Sequence, residues 1–205
     1  MQAAAEIGNP YLNSKILKAV DDSDEAVAKI AKAVVKQLKI KPEVVDNSPK
    51  IGSLSPEEII AQVVSNHGDI SHGKEVFAKA NCAACHTVRQ DEVQKGPYLG
   101  TIAKTYKRPE LTVAVLEPSK TIAQGFVTNL IVTKEGELRS GFVTSELTDR
   151  VTIRDQKGAE LTVMKEDIEE RKTSPTSVMP TGVMNEFTTY DLSSLLDYLE
   201  SLSKE

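Results

Sequence analysis

Residues 82–86 have the sequence Cys-Ala-Ala-Cys-His, and this stretch decides how the rest of the chain is interpreted. Cys82 and Cys85 are the only two cysteines in 205 residues, so no other cysteine remains to form a disulfide with either of them. The preceding residues predict a helix from Asp69 to about Ala80, and a polar loop follows the motif. Two thiols and an imidazole are therefore expected together where a helix meets a loop.

Cys-x-x-Cys-His is the attachment pattern of c-type haem. Two thiols at this spacing can reach the two vinyl groups of one porphyrin edge, and the adjacent His86 can then present a ring nitrogen to the iron. We therefore expect one haem c, bound covalently through Cys82 and Cys85, with His86 as a metal ligand.

Two other interpretations of the motif remain open. A thiol–disulfide redox pair usually begins a helix after a buried strand, whereas here the predicted helix precedes the cysteines. A zinc site would combine the motif with His67 or His72 as the fourth ligand. Because the adjacent Cys85 and His86 would bind one tetrahedral metal awkwardly, the haem interpretation is favoured.

A second landmark, Gly96-Pro97-Tyr98-Leu99, begins ten residues after His86. At this distance the Pro97 carbonyl can face the far nitrogen of the His86 ring, which would fix the ring and raise its basicity. Leu99 is expected to lie on the haem face. Pro97 and Leu99 are therefore predicted to belong to the cofactor-binding residues.

Three methionines after the motif are candidates for the second axial ligand. Met164 follows a strand pattern, and Met184 stands only four residues before the predicted helix cap at Thr188. Met179 has nine residues before that cap, and Pro180 stiffens an extended segment that could cross the porphyrin. We favour Met179 as the metal ligand, with Met184, His67 and His72 as alternatives.

Residues 126–172 change to a β-rich pattern in which Gly-bearing turns at 134–137 and 155–158 separate the runs. The pattern predicts a small antiparallel meander or barrel of four or five strands, with β-rich runs at 126–133, 138–144, 150–154 and 159–163. An acidic group is expected to form a solvated face; it consists of Glu166, Asp167, Glu169 and Glu170.

Helices are predicted on both sides of this insert. Thr188 and Asp191 form a capping pair before a leucine-rich helix, and Gly73 would let that helix cross closely over the one before the motif. Residues 12–66 predict further helices, one capped by Asp21 or Ser23 and one beginning at Ser55-Pro56-Glu57-Glu58.

Composition excludes some classes of function. The net charge of −5 without a basic block argues against nucleic-acid binding. No apolar stretch approaches the roughly 20 residues of a transmembrane helix, and the first residues lack an export signal. Because c-type haem is attached outside the bacterial cytoplasm, we expect a periplasmic or similar location and a signal or upstream part that has been removed.

Five landmarks together resemble class I cytochrome c: Gly73-x-x-Val76-Phe77, Cys82-x-x-Cys85-His86, Gly96-Pro97-x-Leu99, Met179-Pro180 and the Tyr198-Leu199 helix. Further features resemble, more narrowly, the Planctomycete/Verrucomicrobia haem-binding domain family: Leu116-Glu117-Pro118-Ser119, Gly125-Phe126, Thr133-Lys-Glu-Gly136, Asp167-Ile168-Glu169 and Ser177-Val-Met-Pro-Thr-Gly182. The resemblance covers roughly residues 68–202. The chain departs from that family at Thr181, where an acidic residue is common, and at Met184, where leucine is common.

The resemblance implies a mainly α cytochrome c fold with a small antiparallel β insert, α+β overall, and an extra N-terminal helical segment. The corresponding parts are 1–67, 68–125, 126–172 and 173–205. It also implies that Cys82, Cys85, His86 and Met179 bind the haem. The function implied is single-electron transfer rather than catalysis, with a redox partner protein, such as the dehydrogenase domain to which this family is often joined.

Two alternative functions remain. A displaceable sixth ligand would make the chain a haem-based sensor or small-ligand binder, and the β insert could serve as a docking module. A basic rim for partner docking is also expected around the motif; its members would be Arg89, Lys95, Lys104, Lys107 and Arg108.

Overall fold

The structure is a computed structural model that describes residues 10–40 and 46–203. The chain divides into two compact units, Met1–Asn47 and Ser48–Glu205, and each is described by itself. The described residues contain six α-helices and one five-stranded antiparallel sheet. The mixed α+β class predicted from the sequence is confirmed.

The first unit contains helices α1 (Pro10–Lys18) and α2 (Glu25–Leu38). The predicted cap of α2 was wrong, because the carboxylate that accepts the first free backbone N–H groups belongs to Asp24, with Ala26 at 2.9 Å. Asp21 instead ends a short 3₁₀ turn, so it is too far from the start of α2 to cap it. The predicted helix break at Lys41-Pro42 lies outside the described residues.

Four helices belong to the second unit: α3 (Pro56–Ser65), α4 (Ile70–Lys79), α5 (Arg108–Leu116) and α6 (Thr189–Leu202). The predicted caps of α3 and α6 are confirmed, since Ser55 and Thr188 each take part in a complete capping box. Asp69 caps α4. The sequence did not predict α5.

Helices α4 and α6 cross closely, as predicted. A Cβ at Gly73 would overlap the carbonyl of Ser194 on α6, so only glycine permits this approach. Beside the crossing, the rings of Phe77 and Tyr198 lie 5.6 Å apart. The two helices therefore form the centre of the main hydrophobic core.

Helix α3 packs into the same core through Ile59 and Val63, which are almost fully buried. The boundary between compact units consequently falls at Asn47/Ser48, whereas the sequence interpretation ended the N-terminal segment at residue 67. The apolar stripe of α3 explains the difference, because a helix buries that stripe against its core partners regardless of distance along the chain.

The β insert forms a sheet with strand order β4-β3-β2-β1-β5. Its strands are β1 (Thr128–Thr133), β2 (Leu138–Glu146), β3 (Arg150–Arg154), β4 (Glu160–Met164) and β5 (Ile168–Thr173). A separate small core of Ile131, Val151, Ile153 and Val163 lies on one face. The sequence predicted the first four strands and both turns, but it did not identify β5, which pairs with β1.

The four acidic residues predicted to form a solvated face are all exposed, so that prediction is confirmed. Glu169 and Glu170 lie within β5 itself, on the edge of the sheet.

Candidate functional site

The backbone before the motif turns sharply at one residue. Helix α4 ends at Lys79, and Asn81 then adopts a left-handed conformation with φ of 59°. A short polar side chain tolerates this conformation better than most residues do. The turn ends α4 immediately before Cys82.

The motif itself forms a tight turn around one carbonyl. The Cys82 carbonyl accepts hydrogen bonds from the backbone N–H groups of Cys85, at 3.2 Å, and His86, at 2.9 Å. Both thiols and the imidazole are therefore carried by one closed turn of backbone, which restricts their relative positions.

The two thiols have different surroundings and do not form a disulfide. Cys82 is partly buried and packs against the main core, and burial raises the pKa of its thiol. Cys85 is exposed. The site thus offers one thiol at the edge of the core and one at the surface.

The His86 ring is anchored through one nitrogen. Its Nδ1 lies 2.8 Å from the Pro97 carbonyl, the contact that the sequence predicted. Burial lowers the pKa of His86 despite the opposing effect of this hydrogen bond, so the neutral ring is favoured. A neutral ring that donates from Nδ1 keeps the lone pair of Nε2 for a metal.

The loop after the motif folds back on it. The Leu99 backbone N–H donates to the Thr87 carbonyl at 2.9 Å, and the Leu99 side chain packs against the main core. A Cβ at Gly96 would lie 3.5 Å from Nδ1 of His86, so the loop backbone runs alongside the ring. Pro97 and Leu99 are therefore both brought to the motif.

Met179 lies in a bend of the segment after the sheet and is half-buried. Its backbone N–H donates to Ser177 Oγ, and the Ser177 N–H donates to Ser119 Oγ, each at 3.1 Å. Ser119 follows α5, so these contacts tie the methionine segment to the helical part of the unit.

The other two methionines have different environments. Met184 is only 2% exposed and belongs to the main core, whereas Met164 ends β4 and pairs with Arg150 in the sheet. A ligand role for Met184 would require it to leave its buried position.

The remaining histidines pair with carboxylates of α6. His67 Nδ1 lies 2.7 Å from Asp197, and His72 Nε2 lies 2.6 Å from Asp191. In the described ranges, 10–40 and 46–203, no group of three or more His, Cys, Asp or Glu side chains is placed to hold a metal ion. The zinc alternative therefore finds no ligand set there.

One buried charge network was missed by the sequence analysis. Arg108 donates to the carboxylate of Asp197 at 2.9 Å and to the backbone carbonyls of Val63, Asn66 and Ser193. Although burial opposes ionisation of Asp197, hydrogen bonds from His67 and Gly68 and the charge of Arg108 keep the pKa of Asp197 below its usual value.

The predicted basic rim is consequently wrong in part. Arg108 is buried and unavailable to a docking protein. Arg89 forms an ion pair with Asp91 at 2.7 Å, and Lys95 Nζ donates to the Ala84 carbonyl at 3.3 Å. The charge of Arg89 is therefore largely balanced by Asp91. Counting charged residues along the sequence overestimated the positive charge that the rim offers to a partner.

Comparison with known protein families identifies a match over part of the chain. Residues 70–149 match the family model described as Cytochrome c, a range that includes the motif and Pro97 but ends before Met179. No curated protein matches the chain. Within the described residues, every helix is too short or too polar to cross a bilayer. Residues 70–149 are therefore similar to cytochrome c domains, a kind of domain that binds haem c covalently and transfers electrons.

Proposed function

We propose that this protein is a monohaem c-type cytochrome whose haem is bound through Cys82 and Cys85, with His86 and Met179 as the axial ligands. The observation that carries the proposal is the 2.8 Å contact between His86 Nδ1 and the Pro97 carbonyl, directly after a turn that presents two free thiols. This donor set fits haem c, because it supplies two thioether positions and a neutral imidazole with one free nitrogen.

When bound, haem iron supplies a one-electron couple between the ferric and ferrous states. The protein sets the environment of that couple. The Pro97 carbonyl raises the basicity of His86, Leu99 helps to exclude water, and a thioether from Met179 favours the ferrous state. If His86 and Met179 both bound the iron, a substrate would find no open coordination position, which supports a carrier rather than an enzyme.

The choice of Met179 rests on its surroundings. Its segment is held by Ser177 and Ser119 while its side chain is half-buried, whereas Met184 is packed in the core. The sensor alternative needs a displaceable ligand such as His67 or His72. Both rings are paired with carboxylates, so no observation favours it.

The attachment turn lies at the surface, which supports exchange of electrons with another protein. Cys85 is exposed, and a cavity of about 310 Å³ opens beside it, lined by Ala83 and Ala84 on the motif and Val93 and Lys95 on the loop. We further propose a periplasmic location and a partner of the dehydrogenase type, as in the Planctomycete/Verrucomicrobia haem-binding domain family.

Covalent attachment is tested on the full chain produced in a host that matures c-type cytochromes. Colour that stays with the polypeptide after acid–acetone extraction supports the proposal, and a colourless polypeptide contradicts it. A haem-to-protein ratio of one in a pyridine haemochrome assay is expected.

Axial ligation is tested with the matched variants Met179→Ala and Met184→Ala. Met179→Ala should abolish the weak long-wavelength absorption band that methionine ligation gives the ferric protein, whereas Met184→Ala should retain it. The opposite pattern would transfer the ligand role to Met184. Rapid and complete carbon monoxide binding to the reduced wild-type protein would support the sensor instead.

A further inference from the structure

The β insert contacts the loop that anchors His86, and a single arginine makes the polar contact. Arg154, the last residue of β3, donates from Nη1 to the Gln94 carbonyl at 3.1 Å. Gln94 precedes Pro97 by three residues, and Pro97 supplies the carbonyl that meets His86. One side chain of the sheet thus reaches the loop that orients the imidazole.

Arg154 is held in place on two sides. Its Nη2 donates to Glu160 on the paired strand at 2.6 Å, and its guanidinium carbon lies 6.0 Å from the centre of the Phe142 ring. Phe142 in turn packs on Phe126, with ring centres 4.9 Å apart. A side chain fixed in this way positions its remaining donor more accurately than a mobile one.

The turn after Arg154 lies close to the same loop. A methyl group at Gly158 would lie 3.3 Å from Val93 and 3.4 Å from Lys95, the two neighbours of Gln94. Lys95 Nζ lies 3.3 Å from the Ala84 carbonyl inside the motif. Arg154 and the turn after it therefore lie beside three consecutive loop residues, and one of these, Lys95, donates to the attachment turn itself.

One nitrogen of Arg154 is buried at an energetic cost. Its Nε is buried and has no hydrogen-bond partner among the described residues. Unpaired buried donors are rare in proteins and need an explanation. The contacts of the two terminal nitrogens, with Gln94 and Glu160, supply one, because they fix the guanidinium in an orientation that leaves Nε without an acceptor.

From these contacts we infer that Arg154 is a positioning residue for the haem ligand His86. By holding Gln94, it keeps the Pro97 carbonyl in line with His86 Nδ1, which strengthens electron donation from the imidazole and stabilises the ferric state. The inference rests on the proposed function and assigns the β insert a role in setting the reduction potential.

The test compares Arg154→Met with Arg150→Met in the haem-loaded full chain. Arg150 lies on the same strand, is exposed and pairs with Asp149, so this control removes the same charge from the same strand. Arg154→Met should raise the midpoint potential and should speed hydrogen exchange at His86 Nδ1, observed by NMR of the reduced protein. Arg150→Met should leave both values at those of the wild type.

A midpoint potential that falls in Arg154→Met would overturn the inference, because loss of the positive charge alone would lower it. A loss of thermal stability in Arg154→Met without a change in potential or in exchange would show a merely structural role and overturn the inference. If Arg154→Met does not fold, Arg154→Lys, which keeps the charge but not the planar fork, is judged by the same two measurements. Wild-type protein without covalent haem would instead overturn the proposed function, so the two failures are distinguishable.

Discussion

Replacing Arg108 by methionine should strongly destabilise the second unit. The side chain is 9% exposed and donates to Asp197, whose side chain is 10% exposed, and to three backbone carbonyls at 2.8–3.1 Å. Methionine fills similar space but donates nothing, so the carboxylates of Asp197 and Glu200 and three carbonyls lose a buried partner.

The size of the effect follows from these contacts. Removing one member of a buried ion pair costs about 3–5 kcal/mol. Because His67 and the Gly68 N–H still contact Asp197, we expect the lower end, about 3 kcal/mol. For proteins of about 150–250 residues, each kcal/mol lowers the melting temperature by about 2–4 °C, which gives a decrease of about 6–12 °C.

Urea denaturation of the haem-loaded full chain, followed by far-ultraviolet circular dichroism, measures this loss. The matched control is Lys107→Met, since Lys107 is the exposed neighbour and should change stability by less than about 0.5 kcal/mol. The double variant Arg108→Met/Asp197→Asn should recover part of the loss, because the stranded charge is also removed. A loss of less than about 1 kcal/mol in Arg108→Met would refute the reasoning, because breaking a buried pair should cost several times more.

Two further predictions concern packing and pH. Gly73→Ala should lower the urea midpoint. Overlap of the new Cβ with the backbone carbonyl of Ser194 costs about 3 kcal/mol, the upper end of the range for overpacking, and outweighs a helix-propensity gain of about 1 kcal/mol. Lys74→Ala, at an exposed neighbour, should not lower the midpoint, and a more stable Gly73→Ala would contradict the close crossing. Hydrogen bonds from Arg171 and a neighbouring lysine lower the pKa of Glu146 from 4.5 to about 2. The stability that the Glu146–Arg171 ion pair contributes is therefore complete above pH 4.5 and is lost as the pH falls toward 2. Carbon-13 NMR of the carboxyl group should show the midpoint near 2 in the wild type and a higher one in Arg171→Met; a wild-type midpoint near 4.5 would contradict the ion-pair geometry.

The elements that the sequence predicted well are those specified by short local patterns. The caps of α3 and α6 each depend on four consecutive residues, and the β-turns depend on one glycine each. Helix α5 was not predicted because its buried face contains Arg108 and Thr112, so apolar residues recur only weakly at helical spacing. Strand β5 was not predicted because it is an edge strand with exposed, mostly charged residues.

In the candidate site, too, contacts between residues close in sequence could be predicted, whereas contacts between distant residues could not. The attachment motif is five residues long, and the His86–Pro97 contact spans only eleven, so both could be predicted from spacing. The contact of Arg154 with Gln94 spans sixty residues, and that of Ser177 with Ser119 spans fifty-eight. Such contacts depend on the packing of the sheet, which local patterns do not specify.

The position of the sheet between His86 and Met179 in the chain affects how its role can be tested. The insert contacts the His86 loop through Arg154. The residues after β5 lead directly to the Met179 segment, and the first of them, Ser174, donates its N–H to the Thr128 carbonyl of β1 at 2.8 Å. Deleting residues 127–172 would therefore disturb both proposed ligands as well as any docking surface, and a changed affinity for a partner could not be assigned to docking. Arg154→Met leaves most of the sheet surface unchanged. A shifted potential with unchanged partner affinity would then assign the insert to the haem environment, and the reverse result would assign it to docking.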